Sequence, residues 1–380
     1  MRDSTGAHVV TIQAGIAQLA RVKSYELTCS MVEPADSFRI AVPFSLDAWN
    51  TLHTDQRIQI AIDGVIMMDG FVDSRRRSAK DGTLEVSGRD KVGRLVQTSI
   101  PTTTGYDGLD LLATVKKLAA PWFGAVVLSD ARNRAVRRGK GHRAAAAGEP
   151  AIFLSKTRGR GENRSQHIDP GEMCWAVIEE LCSSAGLLVW SSADGRELVI
   201  GRPNYSQDPQ YLFRHSTRAG STVIDMTRED TVADRYAMME VYGIGRGDAS
   251  GYGGDVANRG AARNGPNADG TGRDFAYPKR MSLPQNAIQD ADEAGRVAAR
   301  EMAHRDFRGR TLAVSTLGHG QTLTGSTATL YAPNTLARVI DDDLYEDGIW
   351  LVHSLTFKGD RQSGETTDLQ LVPRDTVFVA

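Results

Sequence analysis

Hydrophobic and polar residues alternate with a period of two over much of the first hundred positions. Ile58, Ile60 and Ile62 alternate with Gln59, Ala61 and Asp63, and Asp63-Gly64 then supplies a two-residue reversal that needs positive φ. The spacing predicts a hairpin. A second apolar run from Val65 to Val72 leads into a charged stretch, Arg75 to Lys80, and the turn pair Asp81-Gly82 leads into a third run carrying Leu84 and Val86. Upstream, Tyr25, Leu27, Cys29 and Met31 share one face of an earlier strand. Phe38, Ile40 and Val42 share one face of the next, with Glu33-Pro34-Ala35-Asp36 as the turn between them. Leu46, Trp49 and Leu52, three apart, predict a short helix that plugs the end of a small barrel. Residues 1–100 therefore read as an antiparallel β-barrel-like domain of about six strands, closed or nearly so to protect its edges.

The period changes after the polar, proline-containing stretch Ile100 to Gly105. Leu109, Leu112, Val115 and Ala119 recur at helical spacing, Pro121 ends the pattern, and Ala125 to Leu128 is a short strand. A second helix-then-strand unit follows. Trp175, Ile178, Leu181 and Cys182 form an apolar stripe, Gly186 is placed for a left-handed cap, and Leu187 to Trp190 is followed by the turn Ala193-Asp194-Gly195 and a strand at Glu197 to Gly201. Residues 101–218 are a small α+β domain, and the stripe is core packing rather than a cofactor groove.

Strand patterning resumes from 219. Val223 to Met226 and Met238 to Tyr242 come first, then Leu312 to Val314, Ala328 to Leu330, Ala337 to Ile340, Ile349 to Phe357 and Thr366 to Val372. Residues 219–380 thus read as a second β-barrel-like domain. Two segments interrupt it. The glycine-rich stretch 243–275 is so poor in large apolar side chains that it predicts a mobile loop. A helix near 288–305 carries Ala291, Ala294, Val297, Ala298 and Met302 on one face, with Asp290, Asp292 and Glu293 at its positive end. The fold class expected is α+β, mostly β, with two antiparallel β-barrel-like domains flanking a small α+β domain.

Composition adds bounds. At 380 residues, 41% hydrophobic and 24% charged, the chain is long for one core. It has no run of 18 apolar residues and no signal-peptide core after Met1, which predicts no membrane-spanning segment. Three cysteines, Cys29, Cys174 and Cys182, are too few and too widely spaced for a disulfide framework or a CxxC site, and read as small buried hydrophobes. The net charge of -2 argues against a dedicated nucleic-acid binder. It conceals a basic insertion at 130–165, where Arg132, Arg134, Arg137, Arg138, Lys140 and Arg143 are followed by Lys156, Arg158, Arg160 and Arg164. The plain reading is a solvated loop, and the functional one is a contact with a polyanion or an acidic partner surface.

Catalytic signatures are missing. No GxSxG, HExxH, Walker loop or CxxC pair occurs, so no catalytic residue, metal ligand or cofactor is assigned. Gly243, Gly245 and Gly247 lack the βαβ context of a dinucleotide fingerprint. Arg246-Gly247-Asp248 is a chance tripeptide in a loop of that composition. Asp341-Asp342-Asp343 reads as a solvated turn rather than a cation site. His304, His319 and His353 fall in one β region and read as structural histidines.

Four stretches taken together carry a family resemblance. They are GFVDSRRR at 70–77, VSGRDKVGRLVQTS at 86–99, PGEMCWAVIEELCSSAGLLVWSSADGRELVIGRP at 170–203, and YAPNTLARVIDDDLYEDGIWLVHSLTFKGDRQSGETTDLQLVPRD at 331–375. In the same order, they resemble the Mu-type phage baseplate hub family, which is similar in fold to the hub of T-even phages. The resemblance implies a structural protein of the virion tail baseplate, assembled in the host cytoplasm. It further implies a homotrimer whose six barrel-like units join the sixfold tail tube to the threefold central spike, around a channel for transiting DNA and the tape-measure protein. The alternatives are a tail-associated cell-wall hydrolase, or a peptidoglycan-binding module suggested by the paired αβ units.

Overall fold

The computed structural model of the chain describes residues 8–19, 22–100, 106, 109–128, 168, 171–184, 187–218, 220–243, 259–272, 274–284, 291–321, 329–360, 364–374 and 376. The elements run β1 (Val10–Ala14), β2 (Ala17–Leu19), β3 (Ser24–Ser30), β4 (Ser37–Pro43), α1 (Leu46–Thr51), β5 (Arg57–Ile62), β6 (Val65–Ser78), β7 (Thr83–Asp90) and α2 (Val92–Gln97). Next come α3 (Leu111–Ala119), β8 (Ala125–Leu128), α4 (Cys174–Ser184), β9 (Leu188–Ser191), β10 (Glu197–Gly201), β11 (Tyr211–His215) and β12 (Asp225–Asp230). Then follow β13 (Met238–Tyr242), β14 (Arg259–Arg263), β15 (Arg280–Pro284), α5 (Ala291–Arg308), β16 (Arg310–Leu317), β17 (Gly320–Gln321), β18 (Thr329–Leu330), β19 (Thr335–Asp341), β20 (Glu346–Asp360) and β21 (Gly364–Pro373).

Local chemistry sets these limits. Asp63 and Gly64 take φ of 51° and 84°, as the β5–β6 reversal requires. Ser45 caps α1, its hydroxyl accepting from the Ala48 amide at 3.0 Å, and Asp110 caps α3 in the same way through Ala113 at 2.7 Å.

Packing divides the chain into two compact units, residues 1–227 with 313–374, and residues 228–312 with 375–380. This grouping differs from the three consecutive segments expected from the sequence, because strands from both ends of the chain share one sheet. That sheet has thirteen strands, in the order β12-β16-β21-β20-β3-β4-β7-β6-β5-β1-β2, with β19 beside β20 and β11 beside β19. The join is β3 against β20, antiparallel from Ser24↔Asp360 to Ser30↔Ser354. Leu27, Cys29, Leu355 and Phe357 are buried across it, each large side chain contributing about 1.5–3 kcal/mol. Among the described residues the sheet is open, so the mostly-β class holds but the two expected barrels are halves of one continuous sheet.

The halves repeat one another. Strands β3-β4-β7-β6 and β12-β16-β21-β20 lie in the same spatial order for the same chain order, and β5 and β19 flank the first part of β6 and β20 respectively. Both long strands carry a bulge at a Val-x-Ser step, between Val72 and Ser74 in one and between Val352 and Ser354 in the other.

The α+β segment packs α2, α3 and α4 on the small sheet β8-β10-β9, around Leu95, Val115, Leu118, Ile178 and Leu181. Here β8 and β10 are parallel, while β9 and β10 form the expected hairpin. All three cysteines are buried and free.

The second unit, taken by itself, is a sheet in the order β14-β13-β15 with α5 packed through Ala294 and Ala298 on Val241. Over 259–272 and 274–275 it differs from the mobile loop expected for 243–275. Residues 244–258 and 273 are outside the described set, but Arg259–Arg263 is strand β14, and Phe275 is buried. Its glycines serve close backbone approach. A Cβ on Gly260 would lie 1.9 Å from the Gly295 nitrogen, and one on Gly270 would lie 1.8 Å from the Ala237 carbonyl oxygen.

Candidate functional site

The most informative surfaces are the strand edges the repeat leaves uncovered. Along β20, β21 occupies one side, while the other is shared by β19 up to Val352 and by β3 from Ser354 onward. Along β6, β7 occupies one side and β5 the other up to Phe71, with Val72 still bonded to Asp55 and Gln56. Beyond that point, among the described residues, the side of β6 away from β7 carries no strand. The exposed stretch is Asp73-Ser74-Arg75-Arg76-Arg77-Ser78. The other uncovered edge is β12, the terminal strand beside β16, with the sequence Asp225-Met226-Thr227-Arg228-Glu229-Asp230.

Side chains on the β6 stretch are held in place. The Arg75 guanidinium lies 3.8 Å from the Trp49 ring centroid and donates to the Trp49 carbonyl at 2.5 Å, and Arg77 lies 4.1 Å from the Phe44 ring. Helix α1 therefore does not plug a barrel. It has no buried residue, and Trp49 on it and Phe44 just before it stack on two arginines beside the open edge.

Ionic groups brace the first repeat against the α+β segment. Asp69, 1% exposed, accepts from Arg57 at 2.9 and 2.6 Å and pairs with Lys91 at 2.9 Å; the Lys91 ammonium also donates to the Gly195 carbonyl at 2.7 Å. Burial alone would raise the Asp69 carboxyl, but the two cations outweigh it and hold it below the usual range. At the end of β7, burial pushes Asp90 up to about 7, although its Oδ1 accepts from the Val92 amide at 3.0 Å. Asp36 is raised as well, by burial and by the charge of Asp90.

A second network ties the start of the chain to the last strands. His8 Nδ1 lies 2.7 Å from Asp63, and His8 Nε2 accepts from the His319 amide at 3.1 Å. The Thr367 hydroxyl donates to the Gly318 carbonyl at 2.7 Å, so it accepts from His319 Nδ1 at 3.1 Å, leaving His319 Nε2 to accept from Tyr25 at 2.6 Å. Burial, aided by His8, lowers His319 to about 4, and burial lowers His353 to about 4. Every polar atom of the His319 ring is taken up by these bonds, and both ring nitrogens of His8 are as well. The reading of His319 as structural holds, while His304 lies on α5 in the other unit.

Asp341 and Asp343 are brought beside His215, whose Nδ1 lies 3.7 and 3.5 Å from them. The parallel register of β11 and β19 sets His215 opposite Asp341. Asp341 Oδ1 already accepts from the Asp343 and Leu344 amides at 3.0 and 3.2 Å, Asp343 accepts from Thr217 at 2.8 Å, and Asp342 pairs with Arg214 at 2.8 Å. These bonds build the β19–β20 turn. The basic candidates Arg132, Arg134, Arg137, Arg138, Lys140 and Arg143 lie outside the described residues. Alternation alone did not single out Asp69, His8 or the β12 edge. The duplicated Val-x-Ser step is the signal that leads to the free edges.

Among the described residues no helix is long and apolar enough to cross a membrane. No protein-family model matches the chain. It is 24% identical over 390 aligned positions to the baseplate hub protein gp44 of Escherichia phage Mu, covering 98% of this chain and 90% of that protein. Its fold matches a tail protein from Neisseria meningitidis MC58, with a TM-score of 0.74, 23% identity and 98% of each chain covered. It also matches the 43 kDa tail protein of prophage MuSo2 from Shewanella oneidensis, with a TM-score of 0.74, 17% identity, and 97% and 99% of the two chains covered. With the sequence relative and both folds matched from end to end, this chain is similar in sequence and fold to the Mu-type bacteriophage baseplate hub family.

Proposed function

We propose that the protein is a homotrimeric, non-enzymatic adaptor that joins the sixfold tail tube to the threefold central spike. The observation carrying this reading is the repetition of one strand arrangement within a single chain. Three chains then present six near-equivalent sheet units, which satisfy a sixfold neighbour, while the α+β segments follow the true threefold axis. The tape-measure protein and transiting DNA pass through the central opening. The basic stretch containing Arg137, Arg138 and Lys140 contacts the polyanion there or an acidic partner surface. Structural use of the buried histidine and carboxylate groups supports the non-enzymatic part.

Solution mass combined with electron-microscopic averaging tests the adaptor. A threefold annulus with a central hole is expected, and a particle of any other symmetry would reject it. Purified protein is expected to leave peptidoglycan intact in a zymogram. Serine at Arg137, Arg138 and Lys140 together is expected to impair assembly or DNA ejection, and unchanged infectivity would remove the charge from the scheme.

A further inference from the structure

Each repeat sets a histidine beside the aspartate of a hairpin turn, and the two settings differ. In the first, β1 flanks β5, and His8, just before β1, meets Asp63 of the β5–β6 turn. In the second, β11 flanks β19, and His215 at the end of β11 meets Asp341 at the end of β19. The first pair is closed: His8 Nδ1 lies 2.7 Å from Asp63, and the His8 side chain is 3% exposed. The second is open. His215 Nδ1 stands 3.7 Å from Asp341 and 3.5 Å from Asp343, too far for a good hydrogen bond to either, and Asp343 is exposed to solvent.

This spacing suits donors around an ion. Two bonds of about 2.1 Å at the tetrahedral angle separate their donor atoms by about 3.4 Å, and the nitrogen and the two carboxylate oxygens lie within 4.8 Å of one another. The carboxylates are held from behind rather than by the histidine. Asp341 Oδ1 accepts from the Asp343 and Leu344 amides, and Asp343 Oδ1 accepts from the Thr217 hydroxyl at 2.8 Å, which leaves Asp343 Oδ2 turned to His215. Nearby guanidinium charge is directed elsewhere. Arg214 donates twice to Asp342 Oδ2, at 2.9 and 2.8 Å, and Arg218 acts on the same carboxylate. Asp341 and Asp343 thus keep two negative charges to meet a dication, with the imidazole unprotonated as a ligand must be.

We propose that His215, Asp341 and Asp343 bind one transition-metal dication of the zinc class, with water in the fourth position, and that the ion pins the end of β11 to the β19–β20 turn. The nitrogen donor selects against calcium and magnesium, which prefer shells made of oxygen. Three adjacent aspartates read as a solvated turn in the sequence because the nitrogen that completes the set comes from a strand far earlier in the chain.

The test uses the full chain, stripped with a chelator, and the metal alone as probe. Co2+ is expected to give the visible absorption of a four-coordinate site, saturating at one equivalent and displaced by Zn2+. Zn2+ is expected to raise the melting temperature where equal Ca2+ or Mg2+ does not. A bond that only orients a ligand is worth about 10–100-fold in affinity, so His215→Gln and Asp343→Asn should each weaken Co2+ binding by about a hundredfold or more, and Thr217→Val by about tenfold. Melting without metal is expected to match the wild type in all three variants. Asp343→Asn keeps an acceptor for Thr217, so it carries the test if His215→Gln does not fold. A wild type that takes up no Co2+, or uptake that both ligand variants retain, would overturn the site. Equal protection by Ca2+ would also overturn it, as the mark of a plain acidic surface.

Discussion

The two long strands β6 and β20 occupy equivalent places and are built for different neighbours. After its bulge β20 continues with Leu355, Thr356 and Phe357, and Leu355 and Phe357 are buried against β3 of the same chain. After its bulge β6 continues with Arg75, Arg76 and Arg77, of which Arg75 and Arg77 stack on Trp49 and Phe44. An edge with a permanent covalently linked neighbour can be apolar. One without a neighbouring strand carries charge, since exposed apolar edges invite indiscriminate pairing. The same backbone design thus carries an apolar junction in one repeat and a charged edge in the other.

The sharpest test truncates the intrachain junction. Phe357→Ala empties a fully buried position, and its expected cost in denaturant unfolding is about 3–5 kcal/mol. A cost below about 1 kcal/mol would mean that β3 and β20 do not hold the halves together. Nearly as large is the expected effect of Asp69→Asn, which leaves Lys91 largely buried with its main counter-charge removed, a loss of about 3 kcal/mol. This bracing belongs to the first repeat. Asp69 is held below the usual carboxylate range, so its contribution is present at neutral pH and fades as acid protonates it. The gap between wild type and Asp69→Asn should accordingly narrow in acid.

Much of this architecture was legible from periodicity because a half-buried strand must alternate. The β5–β6–β7 meander, the helix at Ala291–Arg308 and the αβ segment all follow from spacing and turn residues. Strand order across the sheet was not legible, because alternation specifies which face is buried and not which strand lies alongside. The pairing of β3 with β20 spans more than 300 positions. Strand β14 was hidden because glycines that permit close packing against α5 have the same composition as glycines in a loop. The free edges and the His8–Asp63 and Asp69–Lys91 contacts are tertiary, and no local spacing announces them.

Titration should separate the two repeats by sign. Asp90, at the end of the first, has its folded pKa raised to about 7 by burial, above the usual 3.8. Its contribution is full below about 3.8 and is lost as pH rises through about 7. Asp90→Asn imitates the protonated acid and keeps an acceptor for the Val92 amide, so it is expected to stabilise the protein at pH 8 and change little at pH 5. His319, bonded to the second repeat's Thr367, is lowered from 6.5 to about 4. Its contribution is full above about 6.5 and fades as pH falls to about 4, so His319→Gln should flatten the acid limb alone. Unfolding measured from pH 4 to 8 reads both, and identical profiles for all three proteins would remove titration from the comparison.

The smallest expected effect falls at the position in β6 that matches Phe357. Arg77→Ala removes one exposed cation stacked on Phe44, a contact of about 0.5–1 kcal/mol in the isolated chain. Set against the several kcal/mol at Phe357, this difference measures how unequal the two strands are within one chain. Replacing Arg77 by Phe carries the comparison further, since it gives β6 the side chain that β20 uses. The added apolar surface should leave unfolding of the single chain nearly unchanged yet promote concentration-dependent association that salt does not weaken, because apolar contacts are not screened. If Arg77→Phe instead stabilised the single chain as strongly as Phe357 does, the distal half of β6 would already be a folded core, and the contrast between the two strands would disappear.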